Sequence, residues 1–221
     1  MTDDAGRGND GSAKARVGRL VVFEGPNEVG KTTLAHALTA ELKRQGIPCE
    51  THAFPGRSPG TLGHHVYQLH HNSAQFGVRD FTPAALQALH IAAHLDAIEG
   101  IILPRLAAGI DVVLDRYWWS TIAYGAAGGV SERILESLVV SELLAWGDHK
   151  PALVVVLDRS PAPGAKPDLV DVLRDQYRKL VDDASGNHPT CYVDNNGTVD
   201  QTVMQVAALL ARFDPSKGDV N

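Results

Sequence analysis

The sequence alternates between short apolar runs and longer segments that carry apolar residues on one helical face. Short apolar runs rich in Val and Leu are typical of buried strands. We predict five strands, at residues 19–24, 48–54, 109–115, 151–158 and 190–194. The amphipathic segments predict helices at residues 33–45, 61–71, 82–107, 118–125, 131–146, 169–180 and 201–213. Because strands and helices alternate, we expect an α/β fold: a three-layer, doubly wound parallel sheet of five strands.

The same pattern sets the domain limits. Residues 19–213 suit one α/β domain, since a chain of 221 residues can bury a sizeable core. Residues 1–18 are small, polar and rich in glycine, which predicts a disordered N-terminal tail. Residues 214–221 form a polar C-terminal tail. Pro104 lies near the end of the long third helix and predicts a bend there.

Composition narrows the class of protein. The chain is 44% apolar and 21% charged, as is usual for soluble globular proteins. Its net charge of −6 argues against polymeric nucleic acid as the main partner, because such binding depends on Lys and Arg. We see no signal peptide and no apolar run that suits a membrane span. Only two cysteines occur, far apart in the sequence, which suits a reducing compartment, so we expect a cytoplasmic protein. Because no apolar run suits a membrane span, we expect no membrane partner.

One motif indicates nucleotide binding. After the first predicted strand the chain carries Gly25-Pro26-Asn27-Glu28-Val29-Gly30-Lys31-Thr32-Thr33, and a predicted helix follows. This is the G-x-x-x-x-G-K-[ST] pattern of a phosphate-binding loop. Its glycines let backbone N–H groups turn towards phosphates, its lysine reaches the outer phosphates, and its first threonine can bind Mg²⁺. The flanking strand and helix make a chance match improbable.

Charged residues follow other predicted strands at their carboxyl ends, where ligands bind in open α/β sheets. Asp115 and Arg116 end the third strand, close to the loop if the two strands are neighbours. An acid there can hold Mg²⁺, and an arginine can bridge phosphoryl groups. Arg57 follows the second strand, where a ligand contact and a solvated loop residue are equally compatible with its position. Asp158 and Arg159 end the fourth strand.

Histidines are frequent in two predicted helices. His64, His65, His70 and His71 occur as adjacent pairs, and adjacent residues on a helix point in different directions, so we favour surface histidines over a metal site. His90 and His94 are four residues apart and share a helical face. Two ligands alone do not make a metal site, and we favour packing or substrate contact for this pair.

Several of these segments, in this order, resemble the thymidylate kinase family of P-loop kinases. Phe23-Glu24-Gly25 leads into the loop, Phe54-Pro55-Gly56-Arg57 follows the second strand, and Asp115-Arg116-Tyr117 ends the third. The later elements of the resemblance are Ser120, Ala123-Tyr124 and Tyr177-x-x-Leu180. The resemblance covers about residues 20–211. It implies transfer of the γ-phosphoryl group of ATP, with Mg²⁺, to a nucleoside monophosphate or another phosphorylated small molecule by an enzyme that is usually a homodimer.

The resemblance also implies roles for individual residues. The catalytic residues would be Lys31, Asp115, Arg116 and Arg159, and the metal ligands Thr32 and Asp115. ATP would contact Gly25, Asn27, Glu28, Val29, Gly30, Lys31, Thr32 and Thr33. The acceptor would contact Phe54, Arg57, Ile91, Leu95, Arg116, Tyr117 and Tyr124.

Three departures from the family pattern bear on the substrate. Ile91 and Leu95 stand where we align the family's base-stacking Phe and base-reading Arg, and a leucine donates no hydrogen bond. Asn27 replaces an acid in the loop, beside Glu28. The lid segment after Arg159 is short, with Lys166 and Arg174 as its other cations.

These departures leave three hypotheses. The first is a thymidylate kinase-like enzyme acting on dTMP or on an altered phosphorylated acceptor. The second is a nucleotide-binding regulator with little catalysis. The third, a nucleoside kinase with Glu24 as its base, leaves Arg57 and Arg116 without an acceptor phosphate.

Overall fold

The computed structural model describes residues 16–160, 169–184 and 187–213. Its strands are β1 (Leu20–Glu24), β2 (Cys49–Ala53), β3 (Asp111–Asp115), β4 (Leu153–Asp158) and β5 (Thr190–Asp194). All four pairings are parallel, in the order β2-β3-β1-β4-β5. The chain winds first to one side of β1 and then, after β3, to the other. The adjoining carboxyl ends of β1 and β3 therefore border the position where ligands bind in such sheets.

Eight α-helices are present among the described residues. They are α1 (Lys31–Arg44), α2 (Leu62–His71), α3 (Pro83–Ala97), α4 (Leu103–Ala107), α5 (Trp118–Ala127), α6 (Glu132–Trp146), α7 (Leu169–Asp183) and α8 (Val199–Arg212). A short 3₁₀ turn occupies Ser73–Phe76. The predicted fold class is confirmed: a five-stranded parallel sheet lies between two layers of helices.

Alternation along β1 places its side chains in both halves of the core. Leu20 and Val22 belong to the cluster beneath α4, α5, α6 and α7, whereas Val21 and Phe23 belong to the cluster covered by α1 and α8. All four side chains are at most 2% exposed. A central parallel strand is buried on both faces, which explains its uninterrupted apolar sequence.

The folded part of the chain includes residues of the predicted N-terminal tail. The carboxylate of Asp111, which is fully buried, accepts hydrogen bonds from Arg16 and Arg19. The backbone N–H of Gly18 donates to the carbonyl oxygen of Leu106 over 2.8 Å. The tail prediction for residues 16–18 is therefore wrong, because a buried carboxylate needs these cations. The other tail residues, 1–15 and 214–221, lie outside the described part of the chain.

The long helix predicted at 82–107 is continuous but irregular. Its departure from α-helical geometry is a π-helical segment at Ile98–Ile102, and Pro104 lies in the first turn of α4. Proline has no N–H to donate to the preceding turn, and the irregular π-helical segment lies just before it. The bend at Pro104 stays a prediction. Among the described residues, Pro83–Ala107 is the one helical run that could cross a membrane by length and composition alone. Its Ile98 and Ile102 pack in the core cluster beneath the helices.

Candidate active site

The phosphate-binding loop joins β1 to α1 and turns its backbone through positive φ angles. Gly25 and Gly30 have φ of 130° and 97°, the region that favours glycine. A β-carbon at Gly25 would lie 2.2 Å from the carbonyl oxygen of Leu157, so no larger residue fits there. Glu28 also has a positive φ, 64°, and its side chain is exposed. The loop therefore directs backbone N–H groups outward at the start of α1, where anions bind.

Lys31 is the first residue of α1, two positions before the predicted start of that helix. Its side chain is buried, and its ammonium group donates to the carbonyl oxygen of Pro26. Burial, and to a smaller extent the charge of Arg116, lowers the pKa of Lys31 to about 7, although Asp115 and Glu24 oppose the shift. An anionic phosphate beside the ammonium group would favour its charged form.

Thr32 and Asp115 meet across the gap between α1 and β3. The Thr32 hydroxyl donates to Asp115 Oδ2 over 2.5 Å. The other carboxylate oxygen, Oδ1, is buried and has no hydrogen-bond partner in the described part of the chain. A carboxylate and a hydroxyl are the hard oxygen ligands that Mg²⁺ prefers, usually together with water and phosphate oxygens. The pair therefore fits the predicted Mg²⁺ ion.

Arg116 holds its guanidinium group over the loop. Its Nη2 donates to Asn27 Oδ1 (2.5 Å) and its Nη1 to Ser120 Oγ (2.9 Å), and the group lies 5.0 Å from the centre of the Tyr124 ring. Burial alone would lower the pKa of Arg116, but its interactions with Tyr124, Tyr177 and Glu24 together raise it. Arg116 is thus a fixed positive charge beside the phosphate-binding loop.

The predicted acceptor residues differ in how exposed they are. Phe54 and Tyr117 are 4% and 3% exposed, and both pack against Trp146, with ring centres 6.4 and 5.5 Å apart. Arg57 is exposed and covers the ring of Tyr67 on α2 at 4.5 Å. Phe54 and Tyr117 are therefore packed into the core with Trp146, whereas Arg57 lies at the surface.

Helix α3 presents His90 and His94 to this site. The His94 ring stacks on Phe54 with centres 4.1 Å apart and planes inclined by 12°. Ile91 is buried, Leu95 is half-buried, and the ring contacts between α3 and the site come from the histidines. The acceptor contacts of Ile91 and Leu95 stay predictions, and their neighbours His90 and His94, one residue earlier, point about 100° away on the helix.

The two histidines have different partners. His94 Nδ1 lies 2.7 Å from Oε2 of Glu142, a fully buried carboxylate on α6. His90 Nε2 lies 3.2 Å from His70 Nδ1. Burial, together with the nearby His94, His70 and Arg116, lowers the pKa of His90 to about 3. The described residues contain no group of three or more His, Cys, Asp or Glu arranged to hold a metal ion.

Arg159 and Arg174, the arginines of the predicted lid, differ in whether their charges are paired with carboxylates. Arg159 is exposed at the end of β4. Arg174 is buried and donates to two carboxylates, at 2.8 and 2.9 Å, and to the carbonyl oxygen of Arg159. Its charge is already paired, so Arg174 does not replace a catalytic lid arginine. The predicted lid loop, with Lys166, falls on residues 161–168, outside the described residues.

Asn195 is a loop contact that the sequence analysis missed. It directly follows β5; its Nδ2 donates to the carbonyl oxygen of Val29 (2.8 Å), and its Oδ1 accepts from Thr202 Oγ1 (2.9 Å). A β-carbon at Gly30 would lie 2.6 Å from this Nδ2. The signal was present in the sequence, because Asn195 is a polar residue just beyond the carboxyl end of a strand.

Comparison with known proteins shows what the chain is similar to. A family model described as thymidylate kinase matches residues 23–168. The chain is 31% identical to the thymidylate kinase of Bradyrhizobium sp. strain BTAi1, over 75% of this chain and 78% of that protein. It is 33% identical to the thymidylate kinase of Cutibacterium acnes, over 80% and 87%. With the thymidylate kinase of Chlorobium chlorochromatii it shares 34% identity, over 64% and 60%.

Proposed function

We propose, since the chain belongs to the thymidylate kinase family, that it transfers the γ-phosphoryl group of ATP to the 5′-phosphate of dTMP. Members of this family are ATP-dependent nucleotide kinases. One observation carries the proposal: the side chains of Lys31, Thr32, Asp115 and Arg116 converge at the adjoining carboxyl ends of β1 and β3. Phosphoryl transfer depends on positioning and charge neutralisation rather than on a protein nucleophile.

The donor half of the site is the phosphate-binding loop with the start of α1. Its backbone N–H groups bind the phosphates of ATP, and Lys31 neutralises charge on the phosphoryl group that moves. Thr32 and Asp115 would hold Mg²⁺, which supplies positive charge to the β- and γ-phosphates. An oxygen of the acceptor phosphate attacks the γ-phosphorus while the bond to the β-phosphate breaks, so ADP leaves as dTDP forms. Arg159 stands at the rim of this half.

The acceptor half lies between Arg116 and α3. Arg116, and Arg57 on the rim, bind the phosphate of the acceptor, and its base lies against Phe54. His94 stacks on Phe54 and is itself buried, with its Nδ1 beside Glu142. A panel of acceptors distinguishes dTMP from the altered acceptor that Leu95 suggests.

No observation favours a degenerate kinase. The acid in the loop, Glu28, has an exposed side chain, and solvent screens its charge from the phosphates. The lysine, the hydroxyl, the carboxylate and the arginine that the reaction needs are all present and close together. We expect catalysis at ordinary rates for the family.

Turnover with a panel of acceptors tests the proposed function. We expect ADP formation from ATP–Mg²⁺ to depend on dTMP and to be faster with dTMP than with other monophosphates. Replacing Lys31 by Ala should lower kcat by about 100- to 1,000-fold, since one electrostatic contact of this kind is worth roughly 3–4 kcal/mol. Lys43→Ala is the matched control, because Lys43 is an exposed lysine at the end of α1. Equal rates for Lys31→Ala and Lys43→Ala would refute the proposed site.

Assembly and location form a separate part of the proposal: a cytoplasmic homodimer that engages neither membranes nor polymeric nucleic acid. Helix α6 exposes a group of apolar side chains that a second copy could cover, with Val140, Leu143 and Leu144 exposed by 52%, 43% and 76%. Light scattering should give twice the chain mass, and Leu144→Glu should shift the chain towards monomer. A monomeric wild-type chain at micromolar concentration would contradict the dimer.

A further inference from the structure

Glu24, the last residue of β1, is a buried carboxylate to which the proposed reaction assigns no role. Its side chain is fully buried. Oε1 accepts hydrogen bonds from the backbone N–H groups of Tyr117 (2.7 Å) and Ser120 (2.9 Å). Oε2 accepts from the hydroxyl groups of Ser120 (2.7 Å) and Tyr177 (3.0 Å). Four donors surround the two oxygens, which is the arrangement that satisfies an ionised carboxylate.

Nearby cations offset the cost of burying this charge. Burial raises the pKa of Glu24, while the charges of Arg116 and Lys31 and the hydrogen bonds from Ser120 and Tyr117 act in the opposite direction. A buried carboxylate with four donors and two neighbouring cations can remain charged in the folded protein. The net effect raises the pKa of Glu24 above its ordinary value, while its four donors and the two cations favour the ionised form.

The two backbone donors belong to the start of α5. Tyr117 is the N-cap residue of that helix, and its own side chain makes no capping hydrogen bond. The first N–H groups of a helix have no partners within the helix, and negative charge is favourable beside them. Glu24 supplies both the acceptor and the charge, and so ties the end of β1 to the start of α5.

Arg116 lies between these two tied elements. Its φ is 77°, a left-handed conformation that residues other than glycine adopt only when the surroundings hold them in it. Its backbone N–H donates to the carbonyl oxygen of Phe23 (2.8 Å), and its Nη1 donates to Ser120 Oγ (2.9 Å). The Ser120 hydroxyl in turn donates to Glu24. A continuous chain of hydrogen bonds thus connects the Glu24 carboxylate to the Arg116 guanidinium.

We propose that Glu24 is a positioning residue for the acceptor phosphate, which it serves by fixing the Arg116 guanidinium through Ser120 and the start of α5. This inference rests on the proposed function, in which Arg116 binds that phosphate. A role in packing alone would lower stability without discriminating between the two substrates. Positioning through Arg116 should weaken the acceptor far more than ATP.

Calorimetric binding of dTMP and of ATP–Mg²⁺ to the full chain tests this inference. Glu24→Gln keeps the shape of the side chain and removes its charge; we expect the Kd for dTMP to rise about tenfold and the Kd for ATP to change by less than about threefold. In an Arg116→Ala background, the same substitution should change the dTMP Kd by less than about threefold, because the two residues act as one unit. Glu99→Gln, at an exposed glutamate, is the matched control and should leave both constants unchanged.

A second variant keeps the test decisive if Glu24→Gln does not fold. Tyr177→Phe removes one donor to Oε2 and leaves the charge in place, so it should weaken dTMP binding by a smaller factor and in the same direction. The inference is overturned if these variants bind dTMP like the wild type, weaken both ligands equally, or keep their full effect without Arg116. A wild-type chain that binds ATP–Mg²⁺ but not dTMP would instead overturn the proposed function.

Discussion

Asn195 should be worth far more to stability than its neighbour Asn196, although Asn196 also makes several hydrogen bonds. Asn195 is 5% exposed and links the carbonyl oxygen of Val29 in the phosphate-binding loop to the hydroxyl of Thr202 on α8. Asn195→Ala removes both bonds. Thr202 keeps the carbonyl oxygen of Thr198 as an acceptor (3.3 Å), whereas Val29 loses its side-chain donor inside the protein.

The magnitude follows from these partners. A buried carbonyl group left without a donor costs about 1–3 kcal/mol, and the lost bond to Thr202 costs about 1 kcal/mol more. We therefore expect a loss of about 3 kcal/mol in the free energy of unfolding, or roughly 6–12 °C in Tm for a domain of this size. The loop also loses its support beside Gly30, so the KM for ATP should rise.

Asn196→Ala is the matched control. Asn196 is exposed and bonds to Ser160 and Asp194, where water can replace each lost contact. Its removal should cost less than about 1 kcal/mol. Urea denaturation and thermal melting of both variants, with ATP kinetics, give the comparison. Equal stability losses for the two variants would refute the claim that burial, rather than the number of hydrogen bonds, decides their contribution.

Three further predictions concern the acceptor, the N-terminal anchor and acid sensitivity. Arg57→Ala should raise the KM for dTMP much more than that for ATP, with exposed Arg133→Ala as control; a loss of ATP affinity instead would contradict the acceptor role. Asp111→Asn should cost about 3 kcal/mol of unfolding free energy in urea, since it removes the fully buried charge that pairs with Arg16 and Arg19; a loss below about 1 kcal/mol would contradict this prediction. His90 has a folded pKa of about 3 against an ordinary 6.5, so the unfolded chain takes up its proton first and stability falls as the pH drops below 6.5. His90→Gln should reduce the stability loss between pH 7 and 5 by up to about 2 kcal/mol. An unchanged loss would contradict a neutral His90 in the folded chain.

The fold followed from local patterns, because the central strands β1, β3 and β4 are apolar runs and several helices begin or end with recognisable residues. β1 and β4 are buried on both faces, so their sequences carry no polar alternation that could confuse them with surface strands. Parallel pairing of β1 and β3 also predicts that Asp115 lies near the phosphate-binding loop. The bonds of Thr32 and Asn27 to Asp115 and Arg116 are consistent with that expectation.

The sequence does not reveal which face of α3 packs against Phe54 and Glu142. Ile91 and His94 are both buried, and an apolar residue is as compatible with a helix face near a ligand as a histidine is. His94 lies on the packed face of α3 because it contacts Phe54, which follows β2, and Glu142 on α6. Both partners are distant from His94 in the sequence. Only the tertiary structure brings those two partners to the same helical face.

Glu24 and Asn195 were missed as positioning residues for a related reason. Each lies just beyond or at the end of a strand, where the sequence analysis already expected ligand contacts. Their partners, however, include backbone groups of Tyr117 and Val29, which carry no signal in the identity of the residue. Side chains that hold a loop in place by bonding to its backbone are therefore the part of such a site that sequence patterns predict least well.

Label transfer from [γ-³²P]ATP tests the central claim most directly. With the wild-type chain, Mg²⁺ and dTMP, the label should appear in dTDP in proportion to the ADP formed, and Lys31→Ala should abolish most of it. Label that appears only in inorganic phosphate, with dTMP unchanged, would contradict phosphoryl transfer between the two halves of this site.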